Sequence, residues 1–116
     1  MRRFIIGTIT ERLPAHFEKV RRELENEGIG STYQIAEQTD TMEKIFDSID
    51  DCDEIIGLCR RLRTGTTLEI GYSIARGKTV KVITSSSEIQ RLTEHPILTI
   101  PNLKLMNIDD FSTQNL

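Results

Sequence analysis

Apolar residues recur along this chain in two rhythms, short unbroken runs and helical repeats, and the two alternate. Phe4-Ile5-Ile6-Gly7 is an apolar run closed at once by a turn glycine, which predicts a buried first strand. Pro14 then opens a stretch in which Leu13, Phe17, Val20 and Leu24 keep helical spacing, with Glu18, Arg21, Arg22 and Glu25 elsewhere and Gly28 in the stop position. That pattern predicts an amphipathic helix. Residues 31–35 predict a short second strand and 36–40 a polar loop. Met42, Ile45, Phe46 and Ile49 return to helical spacing behind Asp40 and Glu43, which resemble a capping pair, and the helix ends at Asp50-Asp51-Cys52-Asp53. Glu54-Ile55-Ile56-Gly57-Leu58-Cys59 predicts a buried strand, followed by a basic loop over 60–64. From Thr66 to Gly77 a further helix is apolar on more than one face and is expected to be largely buried. Thr79-Val80-Lys81-Val82-Ile83-Thr84 predicts a strand, 87–93 a helix, and 97–108 one or two strands around Pro101-Asn102.

Strands alternating with helices point to an α/β, Rossmann-like (flavodoxin-like) parallel sheet with helices on both faces. The expected organisation is one domain over residues 1–110 and a frayed tail over 111–116. In such folds ligands bind outside the carboxyl ends of the strands, so the loops after Ile6, Cys59 and Ile83 are the ones to inspect.

Composition narrows the function. The chain has 116 residues, 15 Lys+Arg against 18 Asp+Glu, a net charge of -3, two Cys and no Trp. That length suits a single modest core. A slight acidic excess argues against nucleic acid as a partner, because each neutralised phosphate asks for a cation. No apolar stretch approaches the roughly 20 residues of a membrane helix, and the start has no signal-type apolar region, so no membrane partner and a cytoplasmic location are expected. Cys52 and Cys59, with the distant His16 and His95, make a poor metal site; the thiols read as reduced and structural, and neither metal nor cofactor is called for.

The chemistry-bearing segment follows Cys59. It delivers Arg60, Arg61, Arg63, Gly65 and Thr66, then Glu69 on the first turn of a helix. A helix N-terminus favours an anion, and Gly65 lets backbone approach it closely, which describes a phosphate or sugar site. The same residues also fit a capping box, in which Glu69 folds back on the Thr66 backbone N–H and does nothing else. Spacing alone leaves both open. Arg60 and Arg61 read more simply as a solvated loop, and Gly71, unfavourable inside a helix, suggests close packing against the sheet or a neighbouring backbone.

A resemblance bears on the choice. The run Gly65-Thr66-Thr67-Leu68-Glu69-Ile70-Gly71-Tyr72-Ser73 and on through Gly77-Lys78-Thr79-Val80 resembles the signature of the nucleoside 2-deoxyribosyltransferase-like family, which includes 2'-deoxynucleoside 5'-phosphate N-hydrolases. The family pattern E-x-G-x-A is changed here only at Ser73. Asp53-Glu54-Ile55-Ile56 is similar to the family's A-D-x-hydrophobic segment, and Phe4-Ile5-Ile6-Gly7-Thr8 to its Y-x-A-G-P. Gly65-Thr66-Thr67-Leu68-Glu69 is also similar to the G-T-x-x-E of cytokinin-activating phosphoribohydrolases, without their preceding P-G-G.

The resemblance implies that Glu69 is the nucleophile at the anomeric carbon, that Asp53 supports the sugar end, and that Phe4, Gly7 and Thr8 face the substrate. Phe4 stands where the family has Tyr, which leaves Tyr33 or Tyr72 to supply a hydroxyl. Arg63 stands where the transferases carry Asp and the nucleotide hydrolases Ser. A guanidinium there suits a 5'-phosphate, so Arg63, Gly65 and Thr66 are expected to hold the phosphate end. The implied activity is cleavage of the base–sugar bond of a (deoxy)nucleoside 5'-monophosphate, with a small-molecule nucleotide or nucleoside as ligand and a homodimer or higher homo-oligomer as the assembly. The alternatives are a nucleoside deoxyribosyltransferase and a nucleotide-binding module without turnover.

Overall fold

The computed structural model describes residues 1–8, 13–36, 41–94 and 100–116. In chain order it runs β1 (Arg3–Ile6), α1 (Ala15–Asn26), β2 (Gly30–Ser31), α2 (Thr32–Ile35), α3 (Thr41–Asp50), β3 (Glu54–Leu58), α4 (Thr64–Ala75), β4 (Thr79–Thr84), α5 (Ser86–Leu92) and β5 (Leu103–Asn107). Two 3-10 turns, Ile108–Asp110 and Thr113–Asn115, close the chain.

Every strand pair is parallel and the order is β2-β1-β3-β4-β5. β3 is buried at all five positions, as a central parallel strand covered on both faces must be. Alternate residues divide the core. Phe4, Ile6, Ile55, Val80 and Val82 meet Ile45 and Ile49 of α3 and Ile70 of α4 on one face. Ile5, Ile56, Leu58 and Ile83 meet Phe17, Val20 and Leu24 of α1 on the other. At the amino end of the sheet the buried Glu54 pairs with Arg3 at 3.0 Å and Lys81 at 3.3 Å.

Several expectations change. Over 31–35 only Ser31 is strand; the chain turns at once into α2, because the Ser and Thr side chains find hydrogen bonds in the interior rather than a second strand register. α4 begins at Thr64, two residues before the expected start, with Arg63 as its N-cap. Its burial is one-sided: Thr66, Glu69, Ile70 and Ser73 are inside, while Leu68 is 57% exposed and Gly71 faces open space, with nothing within 4 Å of where its Cβ would be. Gly71 therefore does not pack on the sheet. The tail expected to fray instead lays Phe111 and Leu116 against the α1 side of the core. Asp40 of the expected capping pair, most of the 36–40 loop and the first part of 97–108 lie outside the described residues.

Candidate active site

In this strand order the chain direction reverses between β1 and β3, so the crevice lies outside their carboxyl ends. Gly7 ends β1 there with φ +92°, a backbone conformation that favours glycine. A Cβ on it would lie 3.1 Å from the Leu58 carbonyl oxygen, 3.3 Å from Cys59 Cβ and 3.4 Å from Thr66 Cγ2. Glycine at this point is what lets the end of β1, the end of β3 and the first turn of α4 close together. Next to it Thr8, buried, shares a 3.2 Å hydrogen bond between hydroxyls with the fully buried Thr32.

Glu69 lies one turn further along α4, on the same buried face as Thr66. It is 6% exposed, and its Oε2 has no hydrogen-bond partner among the described residues. Burial pushes its pKa up to about 7, since an ionised carboxylate loses water here without compensation. The capping box is not formed. Arg63 is the N-cap, its side chain makes no capping hydrogen bond, and the Arg63 carbonyl accepts the N–H and the hydroxyl of Thr67 at 2.9 and 2.8 Å. A capping carboxylate sits at a solvated helix end; this one is in the interior. Ser73, the position that departs from the E-x-G-x-A pattern, donates its hydroxyl to the Glu69 backbone carbonyl at 2.7 Å, so that polar group is satisfied within the helix.

The fold thus brings together Gly7, Thr8, Thr66 and Glu69, with Gly65 and Arg63 on the helix turn above them. Gly65 has nothing within 4 Å of its Cβ direction, so the space beside the first turn is open. Two expected members fall elsewhere. Asp53 sits before β3, at the amino end of the sheet, where its carboxylate accepts the Arg2 N–H at 2.9 Å; a strand's length separates it from the crevice. Phe4 is a core side chain, 4% exposed, packed with Ile6, Ile45 and Ile49. Tyr72 does not stand in for the missing hydroxyl: its own donates to Asp50 at 2.7 Å, and its ring stacks on Phe46 at 4.2 Å. Tyr33 does reach the carboxyl-end surface, lining a cavity of about 650 Å³ with Thr8, Pro14 and Glu18. Thr32 and Tyr33 are hard to see in the sequence as neighbours of the site, because their segment reads as a strand. A separate cavity of about 500 Å³, touching Arg2, Asp51 and Cys52, lies toward the amino end and away from Glu69.

Cys52 and Cys59 are both buried. Among the described residues no cluster of three His, Cys, Asp or Glu side chains is placed to hold a metal ion, and no helix is long and apolar enough to cross a membrane.

A parallel sheet in the order 2-1-3-4-5, with a crevice at the β1/β3 reversal, defines a flavodoxin-like α/β domain. No family model matches the chain, and no curated protein matches it. Among solved structures it is similar to the CMP N-glycosidase BcmB of Clostridium botulinum, with a TM-score of 0.63 and 23% identity over 91% of this chain and 88% of that one. The chain has that fold.

Proposed function

We propose that this protein is an N-glycosidase that cleaves the base–sugar bond of a (deoxy)nucleoside 5'-monophosphate through a covalent ribosyl–Glu69 intermediate. One observation carries the reading: a helix-borne carboxylate, buried at the switch-point crevice, with an unpartnered oxygen and a pKa raised to about 7 by desolvation. A structural Glu has no use for that arrangement, whereas a nucleophile does. The likeness of fold to a CMP N-glycosidase and the resemblance of the Glu69 segment to the deoxyribosyltransferase-like signature support the same substrate class.

In this mechanism the ionised Glu69 attacks the anomeric carbon as the C–N bond breaks. The bonding electrons leave with the base, which takes up a proton, and the carboxylate offsets the oxocarbenium charge that develops on the sugar. Water then attacks the same carbon, releases the sugar phosphate and restores the carboxylate. Arg63, Gly65 and Thr66 hold the phosphate end, Arg63 by its guanidinium and Gly65 by leaving the helix turn unobstructed. Thr8 faces the ligand from the β1 loop. Hydrolysis is preferred over transfer because Arg63 occupies the position of the transferases' Asp.

A second copy of the chain completes the assembly across the outer face of α4. Leu68 is 57% exposed there, and Gly71 beside it presents bare backbone. Incubation with a panel of nucleoside monophosphates should release free base, followed by chromatography, and Glu69→Gln should abolish it. Full activity in that variant overturns the mechanism. Phe4, with Tyr72 committed to Asp50, favours a second reading, a nucleotide-binding module without turnover; calorimetric binding with no base release identifies it.

A further inference from the structure

The loop after β3 carries three arginines, and the structure uses them in two places. Arg63 occupies the N-cap position of α4, whereas Arg60 and Arg61 line a different cavity of about 430 Å³ with Ser85, Ser87, Glu88 and Arg91. That volume falls within the ~300–1,000 Å³ typical of small-molecule sites.

Its walls are tied down. Glu88, 3% exposed, accepts the Leu62 N–H at 2.6 Å and two Arg91 N–H groups at 2.6 and 2.9 Å. The Arg60 carbonyl accepts the hydroxyls of Thr84 at 3.2 Å and Ser85 at 3.4 Å. The chain is therefore pinned on both sides of Arg61, which stands between two anchored residues. Ser85 Oγ accepts the Glu88 N–H at 3.2 Å and lies 3.1 Å from Ser87 Oγ.

Charge decides what such a cavity would take. Among the described lining residues Glu88 is the one carboxylate, and Arg91 holds its pKa below the usual range, so it stays ionised and neutralises Arg91. Arg61 then gives the described lining residues a net positive charge beside serine hydroxyls, with Arg60 left out of the count. Guanidinium forks with hydroxyl donors suit the several oxygens of a phosphoryl group, and they repel a cation.

We propose that this cavity is an anion site separate from the N-terminus of α4, and that it takes the phosphoryl group of a phosphate monoester. The assignment does not depend on the N-glycosidase reading, because neither Glu69 nor α4 contributes to it.

The full chain, labelled with 15N, is titrated at low ionic strength with ribose 5-phosphate and separately with inorganic phosphate, following the amides of Arg61, Leu62, Ser87 and Glu88. Saturable shifts are expected at those amides, with affinity at least tenfold weaker in Arg61→Ala and unchanged in Arg63→Ala. Arg61 is exposed, so the variant should fold, and an unchanged amide spectrum away from the cavity checks it. Equal affinity for both ligands assigns the site to the phosphoryl group alone; tighter binding of ribose 5-phosphate shows that the ester is the ligand. Shifts confined to residues 64–66, wild-type affinity in Arg61→Ala, or no saturable shift overturns the proposal. Since the readout is binding, loss of base-releasing activity in the parent protein leaves it standing.

Discussion

Glu69 is fully ionised at neutral pH in the unfolded chain but about half protonated in the folded one, where its pKa is about 7 rather than 4.5. Folding therefore binds a proton at this residue between those values. The associated stability is complete below pH 4.5, falls as pH rises toward 7, and is gone above it. The loss is about 3 kcal/mol, since each tenfold change in proton affinity is worth ~1.4 kcal/mol. Glu69→Gln should then be more stable than the parent in urea denaturation at pH 8, by up to that amount, and should converge with it near pH 4.5. A pH-independent difference removes the desolvated carboxylate from the account. Activity should move the opposite way with pH, since the nucleophile must be ionised: kcat/KM for base release should fall about tenfold per pH unit below 7. The residue itself is legible from G-T-T-L-E and its resemblance. Its burial is not, because the same letters spell a capping box, and only the position of the helix start separates the two.

At the scale of the element, two glycines around the first turn of α4 answer to different constraints. At Gly7, against that turn, an added Cβ meets Leu58, Cys59 and Thr66 and the backbone is left-handed, so Gly7→Ala should cost about 2 kcal/mol or more and lower the urea midpoint. At Gly65 the backbone is helical and the Cβ direction is open. Gly65→Ala should stabilise the fold by up to about 1 kcal/mol while weakening nucleotide binding measured by calorimetry. A helix that accepts a glycine for no internal reason is shaped by something outside it. The spacing of Leu68, Ile70 and Ile74 suggests a helix buried all round, yet the fold leaves its outer side bare. The period is readable; which neighbours exist to cover each side is not, since one chain covers only one of them.

For the whole molecule, strand–helix alternation predicts the parallel sheet, and the apolar runs at 4–7, 54–59 and 79–84 correspond to its three central strands. What alternation does not encode is which end of a strand faces the crevice. The resemblance draws Asp53 into the site, but in a parallel sheet every strand start lies at the amino end, opposite the crevice. The assembly is testable on the same scale. Light scattering should give twice the mass of one chain, and Leu68→Lys should reduce it to a monomer with little change in thermal midpoint per chain; a monomeric parent overturns the dimer.

The pairing of β1 with β3 joins residues as far apart as Arg3 and Glu54, which are adjacent in register. On a ribosome this means that the first apolar strand emerges early and waits. Its main partner edge does not exist until β3 has been made, after α1, α2 and α3, and the two-residue β2 covers little of it meanwhile. Such a chain closes its sheet late and through non-local contacts, a topology that slows folding and leaves Phe4-Ile5-Ile6 available to wrong partners until β3 arrives. The strand order that creates the crevice thereby also sets the moment in synthesis at which the crevice first exists.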